Sequence, residues 1–477
     1  MLFNSPLFLF GFLPVVLAGF FLIGRYAPPW LAASWLVAAS LVFYSWDNPG
    51  RLAPLIIASA IFNYSQGLLL SRMRNPLLLT FAIAVNFCLL GYFKYAGFIT
   101  VNLAALGIPV GIEHVALPIG ISFYTFTQLA FLVDTYQGDA REYNFVHYFL
   151  FVTYYPHLIA GPILHHKEMM PQFAHPGTYR LNPHHLALGL SLFGAGLFKK
   201  VVFADNLSGY ADLVFQTAGN DIAMSVGQAW LGALSYTLQL YFDFSGYSDM
   251  AIGLACMMGI IFPLNFFSPY KATSIIEFWR CWHMTLSRFL RDYVYFSLGG
   301  NRKGSALRYT NLLVTMLIGG LWHGASWNFV FWGGLHGIAL TLNHFWRNLA
   351  AKLRFSTPPI VGRVATLLVV IFAWVPFRAP TLSASFSIWR DMLGAGAPSA
   401  ILDTSPWNWI LVIGLSGVAL FLPNTAQMFL ELDKDRRISS LTARRPGWAW
   451  AAFTGAATGI AIASSFTHPS AFLYFRF

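Results

Sequence analysis

Residues 319–337 read GGLWHGASWNFVFWGGLHG and place two histidines, His323 and His336, in one of the most apolar parts of the chain. Leucine would serve a lipid-facing helix there, and polar side chains within membrane segments mark interiors, cavities and function. A neutral imidazole is a general base at neutral pH, since its unperturbed pKa is about 6.5. Were residues 322–336 one continuous helix, the offset between the two histidines would put them roughly 220° apart at about 100° per residue. Only one of them then lines a narrow site. His323 is the approachable one, because Gly319, Gly320 and Gly324 surround it and glycine permits a helix break or a close backbone contact. His336 is the structural one.

Three further stretches carry polar groups in apolar surroundings. In residues 274–304, Arg280, His283, Ser287 and Arg291 fall on one helical stripe, and Trp282, Leu286, Phe289 and Tyr293 on another. The spacing predicts an amphipathic helix, which either lies at the interface with its arginines on lipid headgroups or lines a cavity. Trp279 and Trp282, flanking His283, favour the cavity. In residues 236–270, Gln239, Asp243, Ser245 and Asp249 interrupt an aromatic run. A buried carboxylate there needs water, a cation or hydrogen-bond donors; Arg280 and Arg291 are the natural cations by sequence proximity. A helix break held by aspartate and Gly246 is the plainer alternative. In residues 151–173, Pro156 and Pro162 interrupt the helix and free backbone groups, which predicts a re-entrant turn. His165 and His166 are adjacent and H-E-x-x-H is absent, so neither a metalloprotease nor another metal site is indicated. G-x-S-x-G and Walker motifs are also absent, against a serine hydrolase or an ATPase.

The elements that must position these groups are membrane helices. The 477 residues are 57% hydrophobic and only 10% charged, against roughly 25% charged in soluble domains. A span needs about 20 largely apolar residues. Candidate runs are 7–24, 31–46, 52–70, 77–95, 115–133, 145–163, 186–203, 227–242, 248–262, 309–322, 328–345, 361–377, 407–423 and 447–464. Several are too short to cross and predict re-entrant or broken helices, which are tolerated where backbone is buried in protein or lines a watery cavity. The chain is expected to be an all-α, polytopic integral membrane protein forming a single domain over 1–477, with its chemistry in the middle portion, about 115–345.

The first run lacks a basic n-region and a cleavage site and reads as a retained helix. The formal charge of +11 follows from the positive-inside rule and calls for no nucleic acid. It places the joints 71–76 and 432–446 in the cytoplasm and the N-terminus outside. Cys88, Cys256 and Cys281 show no paired spacing and read as packing residues.

Five ordered motifs, LPIGISFYTF (117–126), YYPHLIAGPI (154–163), LYFDFSGYSDMAIGLACMMG (240–259), EFWRCWHMTLSRFLRDYVYFSLGGNR (277–302) and LIGGLWHGASW (317–327), together resemble the membrane-bound O-acyltransferase family. The nearest branch is the alginate O-acetyltransferase-like membrane subunit, similar also to the membrane subunits for cellulose acetylation and D-alanyl transfer. The likeness runs from the N-terminal MLFNSPLFLFGFLP to the terminal FLYFRF. FWRCWH departs from the branch's usual FWRRWH, placing Cys281 at an arginine position.

The resemblance implies a helical ring around a central tunnel, in the bacterial inner (cytoplasmic) membrane. It implies that His323 is the active-site histidine and His283 the second signature histidine. Substrate- or tunnel-lining candidates are Trp279, Arg280, Trp282, Ser287, Asp243, Ser245, Tyr247, Asp249, Asn265, Trp322 and Trp327. It further implies acetyl-CoA as donor with no bound cofactor, an exopolysaccharide acceptor with alginate and cellulose ranked first, and a periplasmic SGNH-hydrolase-like partner. Two other readings stand beside it: a transporter or export channel for acyl groups or polysaccharide, whose broken helices and midplane polar groups look similar, and a protein or lipid O-acyltransferase using a longer acyl chain.

Overall fold

A computed structural model describes residues 1–108, 111, 116–140, 144–302, 304–402, 405–443, 447–467 and 471–473. Residue 115 of the fifth candidate run, 303 between the signature motifs, 444–446 of the basic joint and 474–477 of the terminal motif lie outside them. The protein is an all-α, multi-pass membrane protein. Six helical stretches are long and apolar enough to cross a bilayer: Phe8–Tyr26, Leu52–Met73, Pro76–Ala105, Pro183–Gly219, Pro359–Arg378 and Trp448–Phe466. Pro29–Ser45 and Pro406–Phe421 are shorter apolar helices.

Proline opens many of these elements. Pro29, Pro49, Pro76, Pro183, Pro359 and Pro406 are each the first helical residue, where the missing N–H is one the helix could not use and the fixed φ already suits it.

The chain packs as two compact units, each assembled from separated stretches. The first comprises Met1–Leu197, Tyr247–Leu264 and Phe429–Ala471. Inside it Asn63 and Asn86 exchange amide hydrogen bonds of 3.1 and 2.7 Å, and Gln128 donates to Ser59 Oγ at 3.0 Å. Such polar pairs hold membrane helices in register where apolar packing alone has little preference. The 145–163 run is broken as its prolines predict: Phe145–Thr153 ends, Tyr155–Leu158 makes one turn, and residues 159–165 are not helical. The described residues contain one antiparallel hairpin, β1 (Leu430–Leu432) with β2 (Ile438–Ala443).

The second unit comprises Phe198–Gly246, Asn265–Met428 and Phe472–Phe477. Its site-bearing elements are the first part of α1 (Val226–Met257), then α2 (Ile275–Trp279), α3 (Met284–Phe289), α4 (Ser305–His323), α5 (Trp327–Lys352) and α6 (Pro359–Arg378). Two expectations from the residue pattern do not hold. The run 227–242 and most of 248–262 belong to the single helix α1, because Asp243 finds a cation and its helix needs no break. The helix expected over 274–304 is three pieces, α2, α3 and a π-helical turn at Leu290–Tyr295. The break comes where Arg280 and Cys281 turn tightly onto Glu277 and Phe278 carbonyls and His283 takes a left-handed backbone, φ 42°, which no α-helix accommodates.

Candidate active site

The glycine-rich stretch 319–337 is a helical hairpin. α4 ends at His323 and α5 begins at Trp327, so the continuous helix considered for 322–336 does not form. A Cβ on Gly320 would strike the Phe329 carbonyl, and one on Gly333 the Met316 carbonyl. Glycine at both positions lets the two backbones touch, the usual means by which membrane helices pack closely. Asn328 then ties the start of α5 to the end of α6, donating to the Ala379 carbonyl at 2.8 Å and the Pro376 carbonyl at 3.3 Å.

This hairpin presents His323, 5% exposed, to an aromatic enclosure. Its ring lies 5.0 Å from Trp322, 5.1 Å from Trp332 and 5.1 Å from Phe377, centroid to centroid. The ring of His283 is 6.5 Å away. A narrow cavity beside His323 is lined by Leu240, Asp243, Phe244, Trp282, Trp374, Phe377 and Leu473.

His283 reaches this place through the chain break. Backbone hydrogen bonds from Phe267 N–H to the Cys281 carbonyl and from Met284 N–H to the Asn265 carbonyl, both 2.9 Å, clamp residues 265–267 against 281–284. His283 Nδ1 then meets Asn265 Oδ1 at 2.9 Å, and both residues are fully buried. The same oxygen accepts from the Thr285 hydroxyl at 2.9 Å and the Thr285 N–H at 3.4 Å. A backbone N–H only donates, so the Asn265 atom is an acceptor and His283 Nδ1 must carry the proton. Nε2 is therefore the lone-pair nitrogen; it is buried and no described residue hydrogen-bonds to it. Burial pushes the His283 pKa down to about 3, which keeps the ring neutral at physiological pH.

Asp243 finds its cation in Lys200, at 3.0 Å, and not in Arg280 or Arg291. Lys200 also contacts Asp205 at 2.5 Å, while Arg291 pairs with its neighbour Asp292 at 2.7 Å. Sequence proximity misled because α2 and α3 are separate pieces. Lys200 carried a signal, being a lysine inside the apolar run 186–203; Leu473, Trp374 and Phe377 carried none.

The remaining candidates divide. Trp322 and Trp282 border the two histidines or the cavity. Trp279 is buried and donates from Nε1 to His336 Nδ1 at 3.3 Å, so His336 is held inside the aromatic packing behind the cavity. Ser245 accepts from Lys199 at 3.1 Å, and Ser287 donates to the Trp282 carbonyl at 3.3 Å. Arg280 is exposed, as is Trp327 at the start of α5; neither lines the cavity. Tyr247 and Asp249 belong to the other unit, where Tyr247 stacks on Phe3 at 4.9 Å. Among the described residues no three His, Cys, Asp or Glu side chains converge as a metal-ligand set.

Residues 57–389, which hold both histidines and every cavity residue except Leu473, match the sequence profile of the membrane-bound O-acyltransferase family. The chain belongs to that family. It is 43% identical to the "Peptidoglycan O-acetyltransferase" of Helicobacter pylori, over 84% of this chain and 81% of the relative. It is also 43% identical to the "Probable alginate O-acetylase AlgI" of Azotobacter vinelandii, over 83% of this chain and 79% of the relative. The "Teichoic acid D-alanyltransferase" of Streptococcus thermophilus is 26% identical over 48% of this chain and 57% of the relative. This membrane-bound O-acyltransferase is thus an acyltransferase whose relatives include polysaccharide O-acetyltransferases.

Proposed function

We propose that the protein moves acetyl groups from a cytoplasmic thioester donor, acetyl-CoA, across the inner membrane for O-acetylation of a cell-envelope or extracellular polysaccharide. The observation that carries this is His323 on the wall of a narrow aromatic cavity, with the ring of His283 6.5 Å away and fixed in the tautomer whose Nε2 is bare. Its small size and bulky walls support a short acyl group over the long-chain reading.

In the proposed reaction, His323 takes the proton of an acceptor hydroxyl as that oxygen attacks the acetyl carbonyl carbon. The carbon–sulfur bond breaks, and the departing thiolate receives the proton from the imidazolium. An ester and a free thiol result, with no net proton change. His283 is neutral and protonated on Nδ1, so its Nε2 accepts a hydrogen bond; it orients the hydroxyl or the His323 N–H, and does not donate to an oxyanion. Arg280, exposed at the end of α2, is assigned to donor or lipid phosphates in this reading.

The relatives' names support alginate and peptidoglycan as acceptors. Delivery to the polymer is assigned to a periplasmic SGNH-hydrolase-like partner. The test is polymer-bound acetate in a deletion strain complemented with wild type or His323→Ala at matched abundance. Loss of general base catalysis should lower acetylation by ~10²- to 10⁴-fold while polymer is still secreted. Full acetylation by the variant would remove His323 from the chemistry, and loss of secretion would support export in place of acetyl transfer.

A further inference from the structure

The ion pair that satisfies Asp243 does something besides neutralising charge. Lys200 does not line the cavity, yet its side chain is only 2% exposed, enclosed between Asp205 and Asp243. Asp243 uses one oxygen for Lys200 and the other to accept the Leu473 N–H at 3.0 Å. The Lys200 ammonium also sits 5.1 Å from the ring centroid of Phe472, within range of a cation–π attraction. Residues 472–473, both buried, are thereby fastened to a charge cluster, and Leu473 is carried into the wall of the His323 cavity.

The other walls are built differently. Leu240 and Phe244 stand on α1, Trp374 and Phe377 on α6, and Trp282 is packed 4.9 Å from Trp374. Among the described residues, Leu473 is the aliphatic lining residue that stands outside the long helices. We infer that Leu473, latched by the Lys200–Asp243 pair, limits the length of the acyl group the cavity accepts. The inference rests on the acyl-transfer reading above. When the acyl carbon sits beside His323, the hydrocarbon end of the group turns toward the apolar walls. An acyl group lengthened toward Leu473 runs into its side chain, so the shorter group is the better substrate.

The test uses membranes from cells producing the full chain, supplied in turn with acetyl-, propionyl- and butyryl-CoA, with released thiol and polymer-bound ester both measured. Wild type should favour acetyl. Leu473→Ala should raise the butyryl-to-acetyl ratio by ~10-fold or more, the scale set by methylene-sized differences in an apolar pocket. Leu473→Val should raise the propionyl ratio alone, and Leu473→Met should leave both unchanged. Should the alanine variant fail to accumulate, the valine variant decides. Unchanged ratios in an abundant variant that still transfers acetyl would overturn the inference while leaving the acyl-transfer reading intact. Thiol release from none of the donors by wild type would instead overturn that reading and this inference with it.

Discussion

His283 occupies the left-handed backbone region, φ 42°, which costs a non-glycine residue of order 1–3 kcal/mol and persists where surrounding contacts over-determine it. Asn265 is that determinant: its backbone carbonyl binds Met284, and its side chain holds the ring of His283 and both donors of Thr285. Asn265→Ala should therefore lower turnover by roughly 10-fold or more, since a buried donor is left unmade. Acidity separates the roles further. The His283 pKa is lowered to about 3, so its protonation should not limit wild-type activity at neutral pH. A carboxylate in Asn265→Asp stabilises the imidazolium and raises that pKa, so the acid limb of the rate profile should move to higher pH. Asn265→Ala introduces no charge and should reduce the rate without that upward movement. Measuring kcat/KM against pH for the three proteins checks both effects; an unmoved limb in Asn265→Asp would separate His283 from the chemistry.

The α4–α5 hairpin is the element that delivers His323, and its closeness depends on two glycines. Gly320→Ala or Gly333→Ala forces a methyl group into backbone, and overpacking of this kind typically costs ~1–3 kcal/mol. Both should reduce thermal stability in detergent. Gly334→Ala is the control, because its Cβ would meet only the tip of Leu317 at 3.8 Å; its melting temperature should stay near wild type. Equal effects from all three would mean that helix propensity, not backbone approach, explains the glycines. The break between α2 and α3 has a different origin. Arg280, His283, Ser287 and Arg291 keep their helical periodicity along the chain, yet a single left-handed residue resets the direction in which it points.

Across the second unit, Lys200 joins residues that are distant in sequence, Asp205, Asp243, Phe472 and Leu473. Removing one partner of a buried charge pair is more damaging than replacing the pair, because it strands the other charge. Lys200→Met should destabilise by ~3–5 kcal/mol and Lys200→Met with Asp243→Leu by less, read from thermal unfolding of the purified protein. A double variant worse than the single one would mean that Asp243 is held mainly by its contact with Leu473.

Membrane helices were legible in the chain alone, because low charge and long apolar runs leave a backbone that only helices can satisfy where water is absent. The five motifs brought the family, with His283 and His323 among their residues. Folding in three dimensions settled which distant groups share a dry interior. It chose Lys200 over Arg280 as the partner of Asp243, placed His336 behind the cavity on Trp279, and brought Leu473 beside His323. A buried charge or lone pair binds whichever partner the fold brings within a few ångströms, and that distance is a property of packing, unrelated to separation along the chain.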